Sequence, residues 1–149
     1  MNIIYREIKP DERDQLLELN KHLNTNDLPL PEEAEVEAVW QEILTDKKIH
    51  CVVADYEGKL VASCILVIIP NLTRGAKPYG LIENVVTHAN YRKKGIGRNI
   101  LQYALSIAWK HQCYKVMLLT GRKDEATLMF YENSGFVSGV KTGFIAYPG

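Results

Sequence analysis

Arg92-Lys93-Lys94-Gly95-Ile96-Gly97-Arg98 stands between a β-branched run at 79–87 and a stretch in which Ile96, Ile100, Leu101, Ala104, Ile107 and Ala108 recur at helical spacing. A strand, a glycine-bearing turn and a long amphipathic helix are expected in that order. The first-turn N–H groups of a helix have no intrahelical acceptors and sit at the positive end of its dipole, so they attract anions. Gly95 and Gly97 lack Cβ atoms, which lets oxygens approach the backbone closely. Arg92, Lys93, Lys94 and Arg98 raise the local potential further. The segment reads as a diphosphate cradle; the competing reading is a basic helix start with no ligand. Two commoner phosphate motifs are excluded. G-x-x-x-x-G-K-[ST] is absent, and a G-x-G-x-x-G fingerprint would need glycine at position 100, which is Ile100.

Working outward, residues 2–8 alternate weakly and read as a strand, after which Pro10 and Asp11 open a helix carrying Leu16, Leu17, Leu19 and Leu23. Residues 24–31, with two prolines, form a loop. Val36, Val39, Trp40, Ile43 and Leu44 then fall on one helical stripe. Runs at 50–56 and 59–69 joined by Glu57-Gly58 are a hairpin signal, ended by Pro70 and a loop over 71–78. Beyond the long helix, 115–120 is a short strand, 124–134 a helix, and 136–147 supplies a final pair of strands. The order β-α-α-β-β-β-α-β-α-β-β defines an α+β (mixed α/β) three-layer domain over 1–149, with antiparallel hairpins early and a βαβ unit in the second half.

Composition narrows the function. A chain of 149 residues suits one domain. Eighteen Lys+Arg balance eighteen Asp+Glu, so a whole-surface nucleic-acid binder is not expected. No apolar run approaches the ~18–20 residues that cross a bilayer, and the N-terminus lacks a signal-peptide layout; a cytoplasmic protein with no membrane partner is expected. Cys51, Cys64 and Cys113 read as buried thiols. His22, His50, His88 and His111 are scattered, so no metal site is expected. The charge is uneven along the chain: residues 1–57 carry fourteen acidic and six basic side chains, a net of −8, and 58–149 carry four and twelve, a net of +8. Either the faces are differently decorated, or ligands of opposite sign meet at one cleft.

Arg92-x-x-Gly95-x-Gly97 resembles the Q/R-x-x-G-x-G/A motif of the GNAT N-acetyltransferase superfamily. Phe130-Tyr131-Glu132-Asn133-Ser134-Gly135-Phe136 resembles that superfamily's F-Y-E-K-x-G-F segment at the matching separation. The resemblance implies a mostly antiparallel sheet whose fourth and fifth strands splay apart to receive the pantetheine arm of acetyl-CoA. It places main-chain contacts at Val85, Val86 and Thr87 and the diphosphate on Lys93, Lys94, Gly95, Ile96, Gly97 and Arg98, with Arg92 holding the loop or flanking a phosphate. Tyr131 takes the position of the general acid near the CoA sulfur; the plainer reading is a core aromatic beside Phe130. Asp124 stands where many members carry an asparagine that touches the cofactor arm, and a carboxylate there accepts but does not donate.

Glu83 precedes the pantetheine-binding residues. Regular alternation would put Glu83, Val85 and Thr87 on one face and Asn84 and Val86 on the other. The resemblance implies that Glu83 is the base that takes the amine's proton, directly or through water; the plainer readings are a substrate contact or a partner for a nearby Arg, and Asn84 is a substrate-contact candidate. The function the resemblance implies is transfer of acetyl from acetyl-CoA to a primary amine, by direct attack in a ternary complex without a covalent enzyme intermediate. The acidic N-terminal portion, on the acceptor side in this superfamily, suits a small cationic amine. The alternatives are a protein lysine or N-terminal acetyltransferase and a non-catalytic acyl-CoA-binding regulatory domain. A homodimer is compatible with all three.

Overall fold

Glu57 and Gly58 both have positive φ (51° and 90°), the geometry a two-residue hairpin turn requires. The β-branched runs they join pair antiparallel as β2 (Ile49–Tyr56) and β3 (Lys59–Ile69). The computed structural model describes residues 1–149 and builds one sheet around this hairpin. β1 (Ile3–Glu7) adds to β2, β4 (Tyr79–Thr87) adds antiparallel to β3, and β5 (Val116–Leu118) runs parallel to β4, in the order β1-β2-β3-β4-β5.

Helices cover both faces. α1 (Arg13–Asn20) and α2 (Glu33–Thr45) bury Leu16, Leu19 and Trp40 against Cys51, Val53, Leu60 and Val86. A one-turn α3 (Thr73–Ala76), with positive φ at Arg74, Gly75 and Ala76, precedes β4. On the other face α4 (Ile96–Lys110) buries the expected stripe of Ile96, Ile100, Leu101, Ala104 and Ala108 against Val52, Val61, Cys64, Leu66 and Ile82. Each large aliphatic side chain so buried contributes about 1.5–3 kcal/mol, which makes this helix–sheet layer the main source of stability. α5 (Glu125–Asn133) follows β5, and Phe130 and Tyr131 rest on the same core. The three layers, the βαβ unit and the three buried thiols match the sequence reading.

Two expectations need correction. Pro10 opens a 3-10 turn (Pro10–Glu12), and the α-helix begins only at Arg13. Glu12 is buried there, accepting from the Lys9 amide at 2.8 Å and from the Arg6 guanidinium at 2.8 and 2.7 Å, and this anchor fixes the tight first turn. The pair of strands expected over 136–147 is not formed: residues 136–149 bend at 138–141 and are otherwise irregular. Strand-forming residues need an edge to pair with, and β5 has only three residues.

Candidate active site

β4 and β5 pair only at Gly80–Val116, Leu81–Met117 and Ile82–Leu118. Past Ile82 the strands part, as expected of strands four and five. The gap opens into a groove of about 690 Å³ lined by Glu83 to Thr87 on one side and Leu119 to Arg122 on the other. That volume suits a ligand of cofactor size.

A bulge shapes the β4 wall. Ser63 pairs with Val86 and Ile65 with Glu83, so one residue of β3 lies opposite two of β4, Asn84 and Val85. Asn84 has φ 55°, a left-handed conformation that asparagine tolerates better than most residues. The inserted residue reverses the pleat. Ile82 and Val85 face the α4 layer, whereas Val86 packs with Leu19, Val53 and Leu60 beneath α1. Glu83, opposite Ile65, shares the face of Val86. This corrects the regular alternation, which put Glu83 and Val85 together.

The cradle lies at the far end of the groove. Gly95 caps α4 with φ 80°, and Lys93 also has positive φ (61°). The first α4 amide with an acceptor is that of Asn99, bonded to the Gly95 carbonyl at 3.1 Å; the amides of residues 93–98 have no acceptor in the chain. Lys93, Gly95, Ile96, Gly97 and Arg98 line the groove, while Lys94 lies on the outer side near Met1, Ile3 and Tyr5. Unpaired amides, a helix N-terminus and flanking cations together fit a diphosphate. A Cβ at Gly95 would meet nothing within 4 Å, but one at Gly97 would lie 3.0 Å from Phe130 Cζ. Gly97 is therefore small because α5 crosses it, rather than only to admit oxygens.

Arg92 donates to the Thr87 carbonyl at 3.2 Å and to the His22 carbonyl at 3.0 Å. It holds the loop, the first of the two roles open to it. His22 in turn accepts the Ala89 amide at Nδ1 (3.3 Å), tying the end of α1 to the start of the cradle loop. His22, Leu23 and Asn24 thereby line the groove, a contribution the sequence did not signal because these residues are more than sixty positions from the segment they touch.

Tyr131 projects from α5 into the same groove with its ring edge-on to Phe130 and Phe136, at centroid distances of 4.9 and 6.4 Å. Burial, with lesser contributions from Cys64 and Glu83, pushes its phenol above the ordinary value, so it stays protonated at neutral pH. Asp124 caps α5, accepting the Thr127 amide at 3.0 Å and pairing with Arg122 at 3.0 Å. Those bonds hold its carboxyl below the usual range. The position the superfamily gives to asparagine is thus occupied by a helix cap at the groove's edge.

Of the fourteen acidic residues in 1–57, none lines the groove; its carboxylates are Glu83 and Asp124. Several of the fourteen are paired elsewhere, Glu12 and Asp55 with Arg6, and Asp14, Glu33 and Glu37 with Arg13.

Splayed strands, bulge, cradle and tyrosine together describe an acyl-CoA-type transferase fold, and comparison with known proteins agrees. The Acetyltransferase (GNAT) family profile matches residues 13–136, and the chain belongs to that family. It is 39% identical over 79 residues to a glucosamine 6-phosphate N-acetyltransferase of Trypanosoma brucei brucei, a match spanning 53% of this chain and 52% of that protein. The chain thus matches about half the length of this curated relative. A solved structure from Agrobacterium tumefaciens str. C58, an acetyltransferase by assignment, is 43% identical with a TM-score of 0.90, covering 97% of this chain and 99% of that one. The glucosamine-6-phosphate N-acetyltransferase of Arabidopsis thaliana, 21% identical over 99% of both chains, shares the fold at a TM-score of 0.83. No helix is long and apolar enough to cross a membrane.

Proposed function

We propose that the chain is an acetyl-CoA-dependent N-acetyltransferase that acetylates the primary amine of a small molecule by direct attack in a ternary complex. One observation carries this: a single groove joins the unpaired amides of 93–98 to the parted strands, with Tyr131 and Glu83 at the fork. The residues that bind acetyl-CoA are Lys93, Gly95, Ile96, Gly97 and Arg98 at the diphosphate, Val85, Val86 and Thr87 along the extended arm, and Asp124 at the margin. Lys94 and Arg92 support the loop and its charge. Bound there, acetyl-CoA supplies an activated acyl carbon.

Glu83 holds the ammonium form of the acceptor and takes its proton, freeing the lone pair that attacks the thioester carbonyl. Asn84 contacts the acceptor from the bulge. The Val85 amide, released from regular pairing with β3, polarises the carbonyl oxygen. Tyr131 gives its proton to the departing thiolate as the C–S bond breaks, and the acylated nitrogen's second proton returns the tyrosinate to its neutral form. The acceptor is cationic by virtue of its own ammonium group, since Glu83 is the carboxylate that meets it. The match to an amino-sugar phosphate acetyltransferase supports including that class among the acceptors tried.

The test is release of free CoA thiol from acetyl-CoA across a panel of primary amines, among them glucosamine 6-phosphate, an aminoglycoside, a polyamine and a lysine peptide. Turnover with a small amine is expected. Saturable CoA binding without turnover on any amine would leave a CoA-binding module, and turnover confined to peptides would make it a protein acetyltransferase.

A further inference from the structure

Tyr131 rides on a helix with half-buried residues but no fully buried one, so its place depends on what grips α5 from α4. One grip is steric. Gly97 lies against the Phe130 ring, where a Cβ would stand 3.0 Å from Cζ. The other is at the end of α5, where Ser134 is completely buried (0% exposed). Its amide donates to the Phe130 and Tyr131 carbonyls at 3.1 Å, and its hydroxyl donates to the Phe130 carbonyl at 2.7 Å. Both donors are thus satisfied within the turn. The Ser134 carbonyl accepts no backbone amide; its partner is the side-chain amide nitrogen of Gln102, reaching across from α4.

The chain around this bond is shaped to it. Gly135 follows with φ 101°, and a Cβ there would stand 3.3 Å from the same Gln102 Nε2, so a larger residue would crowd the donor. The Phe136 amide then returns to the Tyr131 carbonyl at 3.2 Å, and the two rings meet edge-on. Tyr131 therefore stands between a steric stop at Phe130 and a hydrogen-bonded tether at Ser134. A buried carbonyl stripped of its donor is costly, so without Gln102 the end of α5 must move to find water or another donor, and Tyr131 moves with it. Gln102 is not among the residues that line the groove.

We infer that Gln102 is a positioning residue for the reaction: its hydrogen bond to the Ser134 carbonyl sets where Tyr131 presents its hydroxyl in the groove. The inference rests on the reading of Tyr131 as the acid that protonates the thiolate. That proton transfer needs the phenol within hydrogen-bond reach of the sulfur, and a displacement of about 1 Å can cost ~10²-fold in rate.

The experiment is a double-mutant cycle on kcat, using a small amine that the wild type acetylates. Gln102→Met keeps the length of the side chain and removes the donor, whereas Gln102→Lys keeps a donor. Gln102→Met should lower kcat by about tenfold while KM for acetyl-CoA and the CoA-induced rise in Tm stay as in the wild type. Gln102→Lys should restore most of that loss. In the Tyr131→Phe background the Gln102→Met change should alter kcat by less than about twofold, because the group it positions is gone. Hydrogen exchange gives a readout without turnover: the Ser134 and Phe136 amides should exchange about tenfold faster in Gln102→Met. Wild-type kcat or wild-type exchange in Gln102→Met overturns the inference, as does a loss that persists in the Tyr131→Phe background or that Gln102→Lys shares. Should Gln102→Met not fold, Gln102→Glu, matched in shape and without a donor when ionised, takes its place in the cycle with the same expected values. Full kcat in Tyr131→Phe alone is a different result, which removes the acid reading itself and the positioning role with it.

Discussion

The imidazoles of His22 and His88 lie 4.0 Å apart, centroid to centroid, and each accepts a backbone amide at Nδ1: His22 from Ala89 at 3.3 Å and His88 from Asn90 at 3.1 Å. The His88 ring must be neutral for this, because a protonated Nδ1 donates and cannot accept. Burial first, then His22, Lys59 and Arg92, lower the His88 value below its ordinary 6.5. The unfolded chain therefore binds more protons just below pH 6.5. The stabilisation is full above that pH and is lost as pH falls through the folded value. With about 1 kcal/mol per hydrogen bond, Tm should drop by roughly 2–4 °C or more between pH 7 and 5. His88→Asn keeps an acceptor that does not titrate and should flatten the slope; an unchanged slope would show that His88 is not responsible.

Tyr131→Phe keeps the ring against Phe130 and Phe136 and removes the hydroxyl. CoA binding should persist while kcat falls by ~10²–10⁴, the range for a lost general acid. Since the phenol is raised above its ordinary value of 10, the wild-type rate should show no alkaline loss from this group below about pH 10. Steady-state kinetics over pH 6–10 tests both statements. Equal kcat for the two proteins would make Tyr131 a packing residue.

The cradle separates into charge and fit. Lys93→Glu with Arg98→Glu reverses two charges at the free amides and should abolish the CoA-induced rise in Tm without unfolding the protein. Gly97→Ala acts through packing. Its Cβ would stand 3.0 Å from Phe130, and such overpacking costs about 1–3 kcal/mol, more than the ~0.5–1 kcal/mol an alanine adds to a helix. Urea unfolding should give a net loss of stability; a more stable Gly97→Ala protein would show that Phe130 yields freely.

Arg6 bridges β1, the 3-10 turn and β2 by pairing with Glu12 and with Asp55 at 3.0 Å. The Arg6 hydrogen bonds hold the Glu12 carboxyl below its usual range despite burial. Its contribution is therefore present above pH 4.5 and lost as pH falls through the lowered value. Arg6→Ala strands a buried carboxylate and should cost on the order of 3 kcal/mol at pH 7 by denaturant unfolding. A loss below 1 kcal/mol would mean that water replaces the guanidinium without strain.

The acidic bias of residues 1–57 stands outside the groove. Raising ionic strength from 0.01 to 0.1 M shortens the Debye length from ~30 to ~10 Å. With one multiply charged amine and one singly charged amine compared, kcat/KM should decline in parallel, through weaker acetyl-CoA capture. A selective decline for the multiply charged acceptor would restore a steering role to those carboxylates.

The parts legible in the sequence were those written in neighbouring residues. The α4 stripe, the Glu57-Gly58 turn and the span of β4 follow from local periodicity and turn chemistry, and the cradle is contiguous from Arg92 to Arg98. Tyr131 came from a second contiguous motif. What escaped depends on distant pairing. The bulge at Asn84 exists only through the register with β3, His22 meets Ala89 across 67 positions, and Phe130 sets the size of Gly97 from another helix. Residues 136–147 have strand composition, but composition does not supply an edge.

The inserted residue at Asn84 makes β4 two half-strands written in different phases. Before it, even-numbered side chains belong to the α4 layer; after it, the odd-numbered Val85 does. Deleting residue 84 would leave Cys64 facing Val85 alone, so every later side chain would keep its layer while the bulge that shapes the groove wall vanished. A single residue that no layer of the core needs thus serves only to bend the wall that the groove is built on.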